Sequence, residues 1–386
     1  MKKNLIKLCV AFFIVFLAGL LWFGYDYVRI YFKNNTETNE DIKKAKPSPT
    51  PTYPLEYNLS LIATGDALIH DAVYNDAKKS DGSYDFTHQV TMIKEIAQNY
   101  DLAYYNQETI FGGAELGYSN YPRFNTPSEF GDAMIDAGFN LVSLANNHSY
   151  DKGEKGVLNA VDYWQGKENI FWTGIAASKE MRDEVKIKEK NNISYTMLSY
   201  TTLTNGLNAP SDKQYLVNVY NKEQVRKDID ALRNKVDVLI VAMHWGTEYV
   251  HNPTAEQLEI AQYLADLGVD IIIGTHSHVI QPVAKIGNTL VIYSLGNFIS
   301  AQIGIERLVG MMVSTNIKKI VYEDRSEIEI ATPEVELLYT YKNSRYRQYE
   351  IVPWSKMEDK YLSNHQGVYE KFKEIVLMAD KNIIVK

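Results

Sequence analysis

Five short apolar runs, each followed at once by polar side chains, constrain the fold of this 386-residue chain more than any other feature of its sequence. Amphipathic segments lie between the runs, and this alternation is typical of strands and helices in succession. The pattern therefore predicts an α/β fold whose strands end in polar side chains at one edge of one sheet. The runs cover residues 59–63, 102–106, 141–144, 238–243 and 270–274.

The polar groups that follow the runs carry carboxylate, amide and imidazole side chains. In chain order they read ATGD, YYNQE, LANNHSYD, VAMHWGTE and GTHSH. Oxygens together with imidazoles suit Mn, Fe or Zn better than Ca, which prefers oxygen ligands throughout. Two such divalent metals that share a carboxylate could bind both oxygens of a phosphoryl displacement. The predicted metal ligands are Asp66, Glu108, Asn147, His244, His276 and His278.

Taken singly, most of these residues also have an ordinary structural interpretation. Asp66 fits a helix cap, Glu108 a solvated loop acid and Asn147 a turn residue. A lone histidine at a strand end, such as His244, is more often hydrogen-bonded for structure than bound to metal. The two histidines of GTHSH are more specific. An extended strand would place them on one face, whereas a tight loop would let them reach two different metals.

His148 and Asp151 form the predicted acid–base pair. His148 directly follows the candidate ligand Asn147, and an imidazole there can protonate a leaving oxygen. Asp151 would hold the other ring nitrogen of His148.

Turn and cap signals predict further local structure. The segment TPSEFGDAMIDAGF predicts a helix with Thr126 as its N-cap, Pro127 at its first position and Glu129 closing a capping box. Two other segments predict β-hairpins, which turn at residues 191–192 and 287–288.

Charge and cysteine content exclude some classes of function. A formal net charge of −8 gives no electrostatic reason to expect a nucleic-acid partner. The single cysteine, Cys9, lies in the N-terminal apolar stretch, so the rest of the chain can form neither a disulfide nor a thiolate metal site.

The N-terminal apolar stretch predicts a single-pass membrane anchor. Residues 8–25 carry no charge and have the length of a bilayer span, and three lysines precede them. The positive-inside rule then places the N-terminus in the cytoplasm and the main domain outside the cell. The rival interpretation is a cleaved signal peptide, but no convincing A-x-A cleavage site follows.

We predict four segments along the chain. Residues 1–33 would form the cytoplasmic N-terminus and the anchor, and residues 34–56 a polar, Pro/Thr-rich spacer. Residues 57–345 would form the main domain, and residues 346–386 a partly helical C-terminal extension.

The motifs GD, NQE, LANNHSYDKG, HWGTEY, GTHSHVIQPV and YSLGNFIS, in this order, resemble those of the CapA/PgsA family of capsule and poly-γ-glutamate synthesis proteins. The resemblance runs from about residue 57 to residue 303. That family belongs to the calcineurin-like metallophosphoesterase superfamily. The resemblance implies a four-layer α/β sandwich of two mixed β-sheets flanked by helices, with an N-terminal transmembrane helix and a dinuclear metal site.

The resemblance also implies a role for each candidate ligand. Glu108 would bridge two metals and His148 would be the catalytic histidine. Asp66 and His278 would lie on one metal, and Asn147, His244 and His276 on the other.

The chain departs from the superfamily pattern at two positions. The superfamily opens with D-x-H, but Ala67 and Leu68 follow Asp66 here, and the nearest histidine is His70. The usual bridging aspartate is replaced by Glu108. These departures leave the catalytic competence of the site open.

Three functions are therefore compatible with the sequence. The first is a membrane-anchored extracellular protein that takes part in capsule or poly-γ-glutamate synthesis or export. The second is a metal-dependent extracellular phosphoesterase. The third is a non-catalytic scaffold that binds polymer within a membrane synthesis complex. The expected partners are the membrane, other membrane subunits of that complex, and an anionic polymer or its phosphorylated precursor.

Overall fold

The computed structural model describes residues 53–386 and the single positions Trp22, Tyr25 and Arg29. Apart from Trp22 and Tyr25, the predicted anchor lies outside the described residues, and so does most of the predicted spacer. In the part that is described, no helix is both long enough and apolar enough to cross a membrane. The residues from Pro54 to Lys386 form one unit.

Ten strands form the first β-sheet. Its main path runs β15-β14-β12-β1-β2-β3-β4, while β11, β13 and β16 pair with β1, β12 and β14 respectively. The neighbours β1, β2, β3 and β4 are parallel, whereas β12, β14 and β15 pair antiparallel, so the sheet is mixed. The strands are β1 Leu55–Leu68, β2 Leu102–Asn106, β3 Leu141–Ser143, β4 Phe171–Thr173, β11 Asn297–Ser300, β12 Val309–Val321, β13 Ser326–Ile330, β14 Glu334–Tyr341, β15 Glu350–Pro353 and β16 Ile384–Val385.

Six strands form the second sheet, in the order β5-β6-β7-β8-β10-β9. Its centre is parallel and both of its edge strands are antiparallel. The strands are β5 Lys188–Lys190, β6 Ile193–Thr201, β7 Val238–His244, β8 Ile271–Thr275, β9 Val283–Ile286 and β10 Thr289–Ile292.

The two sheets pack face to face through alternating apolar side chains. Along β1, Leu61 and Ala63 belong to a buried cluster that also contains Ile240 and Ile273 of the second sheet. Ile62 points to the opposite face, where it packs among helices. This alternation follows from the two-residue period of a strand, which lets each sheet bury both faces.

Helices cover the outer face of each sheet. Apolar side chains of α2, α3 and α4 pack on the first sheet, and those of α6 and α7 pack on the second. The result is an α/β fold of two mixed sheets flanked by helices, in agreement with the prediction. The helices are α1 Asp71–Ala77, α2 Thr87–Ala97, α3 Glu129–Asp136, α4 Gly153–Gln165, α5 Lys179–Asp183, α6 Lys222–Leu232, α7 Ala255–Asp266, α8 Ile305–Leu308 and α9 His365–Val376, with short 3-10 turns at Ala114–Leu116, Gln214–Leu216, Arg233–Lys235 and Trp354–Lys356.

Both predicted hairpins are confirmed. Strands β5 and β6 are joined by Asn191 and Asn192, which have φ values of 53° and 61°. Strands β9 and β10 turn at Gly287, where φ is 58°. Asparagine and glycine tolerate this left-handed backbone conformation, which two-residue hairpin turns require.

The predicted capping box at Thr126 is wrong. Helix α3 begins at Glu129, and its N-cap residue Ser128 makes no side-chain capping hydrogen bond. The backbone N–H of Thr126 instead donates to the carbonyl of Ile110 at 3.0 Å. This tertiary hydrogen bond holds Thr126 in a loop before the helix, so the local capping signal is overridden.

The C-terminal segment packs onto the fold. Strand β15 extends the first sheet by pairing with β14. From helix α9, Phe372 and Val376 enter the apolar cluster between the sheets, and Tyr349 is fully buried. Residues after 345 therefore contribute to the core.

Candidate metal centre

The six predicted ligands meet where the carboxyl ends of parallel strands from both sheets come together. Asp66 lies near the end of β1, and Glu108 and Asn147 follow β2 and β3 of the same sheet. His244 ends β7, while His276 and His278 follow β8 in the second sheet. The expectation of one edge of one sheet is therefore wrong, because the face-to-face packing aligns the edges of two sheets. All six side chains are buried.

The backbone around Asp66 is held by close packing against the chain at Gly296. A Cβ atom on Gly65 would lie 1.8 Å from the carbonyl oxygen of Gly296, so no side chain fits there. The backbone N–H of Asp66 donates to that same oxygen at 2.9 Å. Helix α1 begins only at Asp71, so Asp66 is not a helix cap.

The carboxylate of Asp66 accepts two hydrogen bonds. Asn106 Nδ2 donates to its Oδ1 at 2.8 Å, and the backbone N–H of His276 donates to its Oδ2 at 3.1 Å. These contacts orient the carboxylate towards the second sheet. Burial raises the pKa of Asp66 to about 7 in the absence of a cation.

Glu108 occupies the centre of the site. Both of its carboxylate oxygens are buried and have no hydrogen-bond partner among the described residues. Its Oε1 atom lies 3.8 Å from Nε2 of His244 and 3.7 Å from Nε2 of His278. Burial raises the pKa of Glu108 well above its usual range, with the nearby carboxylate of Asp66 adding to the effect. Glu108 is therefore not a solvated loop acid.

The donor atoms fall into two groups that share Glu108. One consists of Glu108, His244 and His276, and the other of Asp66, Glu108 and His278. Within each group the donor atoms lie within 4.8 Å of one another. Asn147 joins the first group, because its Oδ1 lies 2.8 Å from Nε2 of His244. The family resemblance implies the same division of these residues between two metals, with Glu108 shared.

The GTHSH segment is a tight loop and not an extended strand. His276 and His278 have φ values of 96° and 57°, in the left-handed region that non-glycine residues seldom adopt. Their rings diverge, with centroids 6.1 Å apart, and each ring enters a different donor group.

Neighbouring polar groups orient two of the histidines. Nδ1 of His244 lies 2.9 Å from Oγ1 of Thr275, and Nδ1 of His278 lies 3.0 Å from Oδ1 of Asn297. The Nε2 atoms of both rings lie on the side of Glu108, 3.8 and 3.7 Å from its Oε1 atom, and Nε2 of His244 also contacts Oδ1 of Asn147. Metal-binding histidines are commonly oriented in this way through their second nitrogen.

The histidine rings are neutral, which is the form that binds metal. Burial lowers the pKa of His276 and of His278 to about 3, and burial together with the neighbouring imidazoles holds the pKa of His244 well below its usual range. A cluster of neutral imidazoles around two buried carboxylates fits a divalent cation of the Mn, Fe or Zn type. The unpartnered oxygens of Glu108 supply the strongest sign of that fit, because buried carboxylates are otherwise paired or hydrogen-bonded.

His148 and Asp151 are in direct contact beside this centre. Nδ1 of His148 lies 2.7 Å from Oδ2 of Asp151, and the same oxygen accepts the backbone N–H of Phe124 at 2.7 Å. The Phe124 ring packs edge-on against the His148 ring with centroids 4.7 Å apart. The imidazole is thus fixed both by a hydrogen bond and by aromatic packing.

His70 belongs to neither donor group. Its Nδ1 atom lies 3.0 Å from the carbonyl oxygen of Leu68, and its ring packs edge-on against Phe124 at 5.3 Å. Burial lowers the pKa of His70 to about 4. The missing D-x-H histidine is therefore not replaced by His70.

A cleft of about 440 Å³ connects the centre with solvent. His148 and His278 lie on its inner wall, and Arg123 and Glu248 contribute side chains of opposite charge. Tyr121 and Tyr249 also line the cleft, with 73% and 46% of their surface exposed. Its volume is sufficient for a small substrate.

Three supporting residues were not predicted from the sequence. Asn106 holds Asp66, Thr275 holds His244, and Asn297 holds His278. Asn106 stands in YYNQE, Thr275 in GTHSH and Asn297 in YSLGNFIS. Their positions inside the family motifs could have marked these residues as part of the site. The sequence spacing does not show, however, which side chain each of them contacts.

Comparison with known proteins identifies the family. Residues 60–302 match the family described as bacterial capsule synthesis protein PGA_cap. The chain is 27% identical over 195 residues to the PGA biosynthesis protein CapA of Bacillus subtilis strain 168, which covers 50% of this chain and 51% of that protein. It is 28% identical over 258 residues to the capsule biosynthesis protein CapA of Bacillus anthracis, which covers 63% and 62%. The matched regions thus span less than two thirds of these relatives.

Among solved structures, a Staphylococcus aureus protein described as a 5′-nucleotidase aligns over 81% of this chain and 58% of that chain. Its sequence identity is 15% and its TM-score is 0.48. The family match covers the ligands of both donor groups, the loop of His148 and the motifs that indicated the resemblance. The chain belongs to the PGA_cap family of bacterial capsule synthesis proteins, the CapA family.

Proposed function

We propose that this protein is a two-metal hydrolase of the phosphoester type that acts in the synthesis or export of a capsule polymer. The observation that carries the proposal is the position of Glu108. Its two buried, unpartnered carboxylate oxygens lie between two groups of neutral imidazole and oxygen donors. A shared carboxylate between two donor sets suits a pair of metal ions better than a single ion.

The donor groups suggest which residues would hold each ion. Glu108, Asn147, His244 and His276 would hold one, and Asp66, Glu108 and His278 the other. Bound divalent metals act as Lewis acids on a phosphoryl group and lower the pKa of water. The remaining chemistry falls to residues of the chain.

His148 is placed to transfer a proton to a leaving oxygen. Asp151 engages its Nδ1 atom at 2.7 Å, so Nε2 is the atom left for the substrate. His148 lines the cleft next to Asn147, which brings this proton donor close to the first donor group. Asp151 would keep the imidazole in the correct tautomer and stabilise its protonated form.

The biological setting of the proposal comes from the family and from the N-terminal sequence. The uncharged stretch at residues 8–25 and the preceding lysines support a single-pass anchor with the hydrolase domain outside the cell. There the substrate would be a phosphorylated precursor of an anionic polymer such as poly-γ-glutamate. Other membrane subunits of the synthesis complex would be its partners.

Metal content and turnover test the proposal. The full-length chain, purified in mild detergent, should hold close to two equivalents of Mn, Fe or Zn by elemental analysis. The loaded protein should then hydrolyse p-nitrophenyl phosphate or bis(p-nitrophenyl) phosphate. The variant His148→Ala should keep its metal and lose turnover.

Two results would contradict the proposal in different ways. A protein that takes up no metal would exclude the two-metal site. A protein with two metals but no turnover of phosphoesters would exclude the hydrolase and favour a scaffold that binds anionic polymer through its metals.

A further inference from the structure

The exposed side chain of Arg123 places a positive charge at the rim of the cleft. Arg123 lies in the loop before helix α3, is exposed, and lines the cleft that leads to the metal centre. Within residues 53–386 its guanidinium forms no ion pair, side-chain hydrogen bond or aromatic contact. An arginine guanidinium offers five N–H donors in a planar fork that matches carboxylate and phosphate groups.

The other cations near the cleft already have partners. The guanidinium of Arg307 lies over the ring of Tyr249, 4.5 Å from its centroid. Lys342 donates to the carbonyl oxygens of Ala301 and Gln302 at 3.2 and 3.0 Å. Among the described residues that line the cleft, Arg123 is therefore a cation that a ligand can engage without breaking an existing contact.

The cleft is lined by side chains of opposite charge. Glu248, in the loop after β7, lines the same cleft but forms no ion pair with Arg123 in the described chain. An anionic group would be repelled by Glu248 and attracted by Arg123. A substrate with one group on the metals would thus be oriented with a second negative group towards Arg123.

The loop of Arg123 is directly connected to the proton donor. Phe124, the next residue, donates its backbone N–H to Asp151, and its ring packs on His148. The backbone next to Arg123 is consequently held beside His148 through Phe124. A group bound by Arg123 would therefore lie on the same side of the cleft as His148.

We propose that Arg123 forms a second anion subsite, so that the preferred substrate carries a carboxylate or phosphate group in addition to the phosphoryl group at the metal centre. This inference rests on the proposed phosphoester chemistry. It narrows the substrate from phosphoesters in general to those with a second oxyanion. A phosphorylated precursor that also carries a carboxylate and a multiply phosphorylated precursor both meet that description.

Matched ligand pairs test the subsite. Glycerol 3-phosphate and 3-phosphoglycerate differ in a carboxylate, and fructose 6-phosphate and fructose 1,6-bisphosphate differ in a phosphate. Dissociation constants would be measured by calorimetry on the metal-loaded, full-length chain in the His148→Ala background, where turnover is blocked. Each doubly anionic ligand should bind about tenfold more tightly than its partner at low salt, and less so as salt rises. The pair with the larger ratio identifies the source of the second anion.

The variant Arg123→Ala should remove the preference and leave binding of the singly anionic ligands unchanged. Arg123→Lys should restore part of the preference, because it keeps the charge but loses the planar fork. The matched control is Arg226→Ala, which removes one positive charge from the exposed face of α6 and should leave the preference intact.

The outcomes separate this inference from the proposed function. Equal binding within both pairs, or a preference that survives Arg123→Ala, would overturn the subsite even if the wild-type protein hydrolyses phosphoesters. A preference that depends on Arg123, in a protein without turnover, would uphold the subsite and overturn the hydrolase.

Discussion

Nε2 of His244 lies 2.8 Å from Oδ1 of Asn147, although the first residue ends a strand of one sheet and the second follows a strand of the other. This contact crosses the sandwich at the metal centre. A cation bound there would connect the two sheets through side chains that are far apart in sequence. Metal binding at this site would therefore be coupled to the stability of the whole sandwich.

We expect metal removal to lower the thermal stability of the protein. A ligand that binds only the folded state stabilises it by about 3–4 kcal/mol at 100 to 1,000 times its dissociation constant. Unfolding of the full-length chain would be followed by circular dichroism before chelation, after chelation and after reloading. The double variant His276→Ala/His278→Ala should show no response to added metal, and a metal-dependent shift that persists in it would place the metal elsewhere.

The variant Glu108→Gln should lose most bound metal while remaining folded. The buried carboxylate of Glu108 has no hydrogen-bond partner, so an amide of similar shape removes the cost of a buried charge. The metal-free variant should therefore unfold at the same temperature as metal-free wild type or at a higher one. Elemental analysis and thermal unfolding would measure both effects.

The control for Glu108→Gln is Glu256→Gln, in the exposed first turn of α7, which should keep its metal. A Glu108→Gln protein with full metal content would contradict the bridging role of Glu108.

Variants of a single histidine should show that the two groups of donor atoms bind metal independently. His276→Ala removes a donor from the group that contains His244 and leaves Asp66, Glu108 and His278 in place. His278→Ala removes a donor from the group that contains Asp66 and leaves Glu108, His244 and His276 in place. Each variant should keep about one of two metal equivalents by elemental analysis. Loss of both metals from each single variant would mean that the ions bind cooperatively as one unit.

Metal affinity should rise with pH between 6 and 8. Burial raises the pKa of Asp66 to about 7, so a proton must leave this carboxylate before it binds a cation. His276 and His278, whose pKa values are about 3, are already neutral across this range and do not compete. Calorimetry in buffers with different protonation enthalpies should show more protons released at pH 6 than at pH 8. An affinity that is independent of pH would contradict the prediction.

The same raised pKa affects the metal-free protein. Because the folded state holds the Asp66 proton more tightly than the unfolded state, the contribution of Asp66 to folding stability is largest below about pH 4 and is lost as pH rises to about 7. The lowered pKa values of His276 and His278 act in the opposite direction, so the effect of Asp66 is the difference between wild type and a variant that cannot titrate at this position. The variant Asp66→Asn should lose less stability than wild type in denaturant unfolding as pH rises across this range.

The variant Asp151→Asn should reduce turnover at least tenfold without loss of metal. Asp151 contacts Nδ1 of His148 and the backbone of Phe124, and an amide would no longer stabilise the protonated imidazole. Steady-state kinetics with p-nitrophenyl phosphate would measure the effect. Asp162→Asn, on the exposed face of α4, is the matched control and should retain wild-type turnover.

The local patterns in the sequence were sufficient for many elements. Strand β2 spans residues 102–106 as the apolar run predicts, and the asparagine and glycine hairpin turns lie where predicted. These features depend on neighbouring residues, which strand periodicity and turn chemistry describe well. Thr126 is the exception, because its tertiary hydrogen bond to Ile110 competes with the capping signal.

The sequence by itself determined the chemical character of the site: carboxylates, an amide and imidazoles placed just after apolar strands, with the family motifs around them. Only the tertiary structure decided that these groups come from two packed sheets and that Asn106 and Asn297 hold Asp66 and His278 in place. It alone also showed that, within residues 53–386, the Arg123 side chain lines the cleft without a partner. The physical reason is that such contacts join distant parts of the chain, so their geometry follows from sheet packing and not from local spacing.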